Sequence, residues 1–133
     1  MSVSNDVERF DPPGMQFPGM SQAVGCGEFV LVSGQVALRE GKIVCIGDPS
    51  GQAEQCFANI DATLAEAGLT LADIVSLRCY LTSQDAYKAY AAVKNRLFGN
   101  NPPTATALVV QALVLPDLLV EVEAIAWRKS LRS

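Results

Sequence analysis

The sequence predicts an α+β domain, a mixed β-sheet with two helices on one face. Two segments, residues 48–68 and 83–99, place apolar residues at helical spacing. Several shorter stretches are rich in β-branched and aromatic residues and bounded by turn residues. Their order is strand, strand, strand, helix, strand, helix, strand, strand, and two helices on one side of a sheet make a two-layer sandwich. The 133 residues suit one domain, and half of them are hydrophobic, enough for a core.

Residues 1–20 are Pro-rich and without a period, which predicts an irregular N-terminal arm. The domain proper is expected over residues 21–128, with a short tail at 129–133. "QAVGCGEFVLVSGQVAL" reads as a hairpin turning at Gly25, Cys26 and Gly27, and "GKIVCIG" as a further strand bounded by glycines. In the first helix, Ala53, Cys56, Phe57, Ile60, Leu64 and Ala67 form one apolar stripe. Ser50 or Asp48 can cap its start and Gly68 its end. "DIVSLRCYLT" is a strand. The second helix carries Ala86, Tyr90, Val93 and Leu97 on one face, with Gly99 beyond its end. "TATALVVQALV" and "LLVEVEAIAW" are the last strands, separated by "LPD".

Several function classes are disfavoured by composition. The ten Lys and Arg residues are scattered and the net charge is −4, so no basic groove awaits a nucleic acid. No apolar run reaches the roughly 18–20 residues of a membrane helix, and the N-terminus lacks a basic-then-apolar leader pattern; a cytoplasmic protein without membrane partners is expected. The chain has no histidine, and Cys26, Cys45, Cys56 and Cys79 form no CxxC pair. Neither a metal site nor Ser-His-Asp or Cys-His catalysis is expected, and no cofactor is implied. "GCGEFV" holds Gly-x-Gly but leads into a strand, so it is no dinucleotide loop.

The last strand poses a chemical question. Its alternation puts Val120, Val122, Ala124 and Ala126 on one face, and Glu121, Glu123, Ile125 and Trp127 on the other. Two carboxylates thus stand roughly 6–7 Å apart on one face, a costly arrangement in apolar surroundings unless they are paired. Arg78, on a neighbouring strand, is a candidate partner. The strands are apolar on both faces while the helices cover one, which predicts self-association through the sheet.

Taken together, "SQAV" (21–24), "VSGQV" (32–36), "GD" followed by "QAEQCFANI" (52–60), "AGLTLADIV" (67–75) and "VEVEAIA" (120–126) resemble the RidA/YjgF family of reactive-intermediate imine deaminases, also called endoribonuclease L-PSP. The resemblance spans residues 18–128. It implies a chorismate-mutase-like fold and a homotrimer with small-molecule pockets between subunits. Deaminases of the family hydrolyse enamines and imines to 2-oxo acids without metal or cofactor. They grip the substrate carboxylate with an arginine in a Pro-x-Arg-Ser/Thr motif and use a glutamate of the final strand. That glutamate matches Glu121, and Ser33 and Gln35 of "SGQ" are retained. The arginine falls on Ala105 of "PTAT", or on Thr106 with a one-residue shift, and a family cysteine falls on Ala107. The tyrosine before "SQAV" falls on Met20, and a helix asparagine on Ala91. Guanidinium binds carboxylate bidentately, and neither Ala105 nor Thr106 can replace it. Two functions follow: a RidA-like protein that binds a small, less acidic metabolite, or an enamine/imine deaminase of altered specificity. Glu121 is expected in the pocket and Glu123 in a structural role.

Overall fold

The computed structural model describes residues 7–129, so most of the expected tail lies outside the described residues. A six-stranded mixed sheet runs in the order β1 (Val7–Phe10), β2 (Ala23–Cys26), β3 (Phe29–Gln35), β8 (Val120–Trp127), β6 (Ile74–Leu81), β7 (Thr104–Val109). A separate pair, β4 (Leu38–Arg39) and β5 (Lys42–Ile43), forms a small ribbon. Helices α1 (Pro49–Glu66) and α2 (Gln84–Phe98) pack on one face, as the sequence predicts. The β6–β7 pair is parallel and joined through α2; every other pair in the sheet is antiparallel.

Helix α1 starts where Asp48 accepts a hydrogen bond from Gly51 N, so Asp48, not Ser50, is the cap. Its inner face holds Ala53, Cys56, Phe57, Ile60 and Leu64, all buried. Phe57 stacks on Tyr90 of α2 at 5.9 Å and tilts against Phe98 at 5.6 Å. On α2 it is Phe98 that enters the core, while Leu97 stays 39% exposed. The apolar stripe had pointed to Leu97. Beneath the helices lie Val30, Val32, Leu77, Cys79, Leu81, Val120, Val122, Ala124 and Ala126.

Four expectations change in detail. The arm is not wholly irregular, because β1 pairs with β2 in register Val7–Cys26 to Phe10–Ala23. Arg128 fixes this edge, bonding Glu8 at 2.7 Å and Gly27 O at 3.1 Å. The hairpin turns at Gly27 and Glu28, since Cys26 already pairs with Phe29; Gly27 supplies the positive φ of 60° that the turn needs. "GKIVCIG" contributes only two strand residues, Lys42 and Ile43, before Cys45 adopts a φ of 56° and turns the chain into α1. Finally β7 stops at Val109. Val110 N still bonds Leu81 O, but residues 110–119 have no strand partner and form a loop. Buried Gln52 anchors that loop, donating to Asp117 O at 2.9 Å and accepting from Leu119 N at 2.8 Å.

Candidate functional site

The sheet's open face holds the site. Opposite β8, the β3 register slips between Val32 and Gln35, an irregularity that lifts Ser33 and Gly34 out of the ladder. Glu121 lies against this bulge, and a Cβ on Gly34 would overlap its Oε2. Only glycine leaves room for the carboxyl there. The bulge, the turn around Met20 and the β4–β5 ribbon enclose a pocket of about 400 Å³, within the range of small-molecule sites.

Polar groups of the pocket divide into those already occupied and those still available. Gln35 Nε2 donates to Gln22 Oε1 at 2.7 Å, and Gln22 Nε2 in turn donates to Met15 O at 2.8 Å. Gln35 therefore ties the arm to the sheet. Asn59 donates to the carbonyls of Val36 and Leu38, both at 3.0 Å. Ser33 Oγ donates to Ser21 O at 2.6 Å and keeps its acceptor capacity. Glu121 is half-buried and, among the described residues, receives no side-chain hydrogen bond. Burial pushes its carboxyl above the ordinary glutamate range, and the negative charge of Glu123 adds to the effect.

Glu123 has a different environment. It accepts a hydrogen bond from Tyr80 OH at 2.5 Å and stands in register with Arg78. Arg78 forms no ion pair within 4.0 Å among the described residues, so the expected salt bridge to Glu121 or Glu123 is absent there; Tyr80 takes that place. A shallower cleft with Tyr80, Glu123, Val114 and Glu121 in its wall adjoins the pocket, so Glu121 and Val114 border both spaces.

Of the residues singled out in the sequence, Met20, Ser33, Gln35 and Glu121 line one pocket. Ala105, Thr106 and Ala107 do not: they lie on the outer strand β7, with β6 between it and β8. Ala105 and Ala107 are in register with buried Leu77 and Cys79, hence on the helix side, whereas Thr106 is in register with Arg78 on the open side. Ala91 follows buried Tyr90 on α2, the helix that packs against β6 and β7. Within one chain the expected site is thus split between the β3–β8 bulge and the β7 edge. Gly34, Glu40 and Asn59 also line the pocket and were not singled out. A Gly between the two polar residues of "SGQ" was the available signal for the first.

The model of the endoribonuclease L-PSP family matches residues 17–128. A RutC family protein of Pyrococcus abyssi is 36% identical over 111 residues, covering 82% of this chain and 86% of the relative. The mitochondrial protein MMF1 of Saccharomyces cerevisiae is 31% identical over 110 residues, covering 83% of this chain and 75% of the relative. Among solved structures, Escherichia coli TdcF with bound serine superimposes with a TM-score of 0.81 at 28% identity, over 92% of this chain and 99% of that one.

Proposed function

The chain belongs to the endoribonuclease L-PSP family, and from that premise we propose that it binds a compact neutral or amine-bearing metabolite beside Glu121, in a homotrimer whose clefts a neighbouring subunit completes. The observation that carries this reading is charge. The pocket lining holds Glu40 and Glu121 and neither lysine nor arginine. A ligand carboxylate would find no guanidinium to grip it, the role the family arginine would play at Ala105, and would face Glu40 and, when ionised, Glu121. An amine or amide instead meets the Glu121 carboxyl, the Ser33 oxygen and apolar Phe17, Met20 and Val114. The serine bound to E. coli TdcF supports a ligand of amino-acid size.

A neighbouring subunit is supported by the exposed outer strand β7 and by Phe29, Leu31 and Ile125 on the open face, exposed by 47%, 47% and 36%. An RNA substrate is disfavoured, since phosphates would meet the same two carboxylates. The reading involves no metal or cofactor. Four free cysteines, two of them exposed, favour the reducing cytoplasm.

Calorimetric titration with n-butylamine, butanamide and 2-oxobutanoate tests the proposal. The amine and amide should bind more tightly than the oxo acid; preferential binding of 2-oxobutanoate sinks the reading. A hydrolytic role is the second reading, favoured by the raised carboxyl of Glu121, which can hand a proton to an enamine carbon or imine nitrogen. It predicts rapid turnover of 2-aminoacrylate generated in situ. The binding-protein reading predicts a rate only slightly above background.

A further inference from the structure

Residues 80, 78, 121 and 123 form a two-by-two patch on the open face. Tyr80 is in register with Glu121, and Arg78 with Glu123. Tyr80 does not serve the carboxyl directly opposite. Its hydroxyl runs diagonally to Glu123 Oε1 at 2.5 Å. Glu123 therefore has a hydrogen-bond donor and a cation, Arg78, in register with it, though beyond ion-pair distance. Glu121, two residues earlier on the same strand face, has neither. It is also the carboxyl in the wall of the enclosed pocket, which Glu123 does not line.

We propose that Tyr80, with Arg78, is a positioning element that assigns the negative charge to Glu123 and so makes Glu121 the proton carrier of the pocket. The inference rests on the reading of the Glu121 pocket as the ligand site and names the regulation of its chemistry. Two carboxyls about 6–7 Å apart on one strand face repel when both are ionised. Glu121, with no side-chain donor of its own among the described residues, retains its proton the more readily. Burial already pushes the Glu121 carboxyl up, and Glu123 reinforces this. The hydrogen bond to Glu123 is likewise the main cause that pushes the Tyr80 hydroxyl up, so that tyrosine remains a donor. In use, the Glu121 O–H bond breaks as its proton passes to a basic atom of the ligand. A hydronium ion or buffer acid from bulk solvent, entering by the adjoining cleft, returns a proton to the carboxylate, so that the net change is one solvent proton transferred to the ligand.

Other groups facing Glu121 are Glu40, across the pocket from the β4–β5 turn, and Cys56 of α1, behind the strand. Glu40 lines the same pocket without contributing to the rise of the Glu121 carboxyl, whose causes are burial and Glu123. The buried Cys56 thiol is pushed up, first by desolvation and then by Glu121, and stays neutral. Neither distinguishes Glu121 from Glu123 through a hydrogen bond.

The test follows the Glu121 side-chain carboxyl by carbon-13 NMR over a pH titration of the full chain without ligand, assigned through Glu121→Gln. In Glu123→Gln the Tyr80 hydrogen bond has an acceptor of the same shape but no charge, and the Glu121 midpoint should fall. In Tyr80→Phe, Glu123 loses its donor and competes for the proton. The Glu121 midpoint should again fall, and its transition should broaden as two carboxyls titrate together. Tyr87→Phe, on the exposed face of α2, should change nothing. An unmoved midpoint in Glu123→Gln, or a Tyr80→Phe curve identical to wild type, overturns the proposal. Because no ligand is present, failure here is separable from failure of the pocket reading. Shifted midpoints without amine binding would leave the charge assignment standing and remove the ligand site.

Discussion

On its helix side, β8 presents Val120, Val122, Ala124 and Ala126, none more than 3% exposed. On its other side Glu121, Glu123 and Trp127 are half-buried and Ile125 is exposed. The same eight residues thus meet two kinds of environment. One side is closed by α1 and α2 and has no room for chemistry. The other is left unfinished by the chain: apolar toward β2 and β3, polar toward β6, with a pocket where the β3 bulge meets Glu121. The difference shows how this fold separates stability from function by strand parity alone. Residues that hold the domain together alternate with residues free to bind a ligand or a second copy.

Substitutions on the two sides should therefore fail differently. The largest effect is expected on the helix side. Phe57→Ala removes a ring that touches both Tyr90 and Phe98 and should cost about 3–5 kcal/mol in urea unfolding. On the open side, Leu31→Asp places a charge opposite Ile125. It should leave the fold intact by circular dichroism but convert the proposed trimer to 14.1 kDa chains in sedimentation. A wild type that already sediments as a monomer would break the comparison, because the open side would then be finished by solvent alone.

Two pocket substitutions sharpen it further. Gly34→Ala directs a methyl at Glu121 Oε2, the mobile end of a side chain. The carboxyl should move aside at a cost within about 1 kcal/mol, while butylamine ceases to raise the melting temperature. Ala105→Arg places a cation on β7. If a neighbour's β7 edge meets the pocket, 2-oxobutanoate should bind about 10- to 150-fold more tightly, the value of 1.5–3 kcal/mol for a charged hydrogen bond. No gain in titration calorimetry would mean that the β7 edge lies elsewhere in the assembly.

Elements with a strong internal period are legible in the sequence. Both helices, the alternation of β8 and the uncovered sheet face follow from the spacing of apolar residues. Strand β1 was not legible, because "VERF" is short and charged and its place depends on Arg128, 120 residues from Glu8. Loop 110–119 misled, because "VVQALV" reads as a strand although nothing pairs with it beyond Val110. The roles of Gln35, Gln52 and Asn59 depend on distant partners, which composition cannot reveal. Glu121 and Ser33 were legible through resemblance. The bulge that brings them together was not, since a register slip is a property of two strands at once. The Tyr80–Glu123 bond joins residues 43 apart in sequence and only the register exposes it.

The smallest effect expected is the pH dependence of stability that Glu121 imposes. Its folded-state carboxyl is raised from the ordinary value of 4.5, chiefly by burial. The folded chain therefore holds this proton at pH values where the unfolded chain has released it. The stabilising contribution is complete below about 4.5, the unfolded value, and is lost as pH rises through the higher folded midpoint. Glu121 is only half-buried, so solvent screening limits the difference to a few tenths of a kcal/mol. Urea midpoints taken between pH 4 and pH 8 should show wild type falling relative to Glu121→Gln as pH rises, with Glu123→Gln between them because one source of repulsion is gone. Parallel curves for wild type and Glu121→Gln would mean that the carboxyl reaches water as freely in the folded chain as in the unfolded one. The open side would then offer no enclosed acid, and its contrast with the sealed helix side would reduce to one of packing.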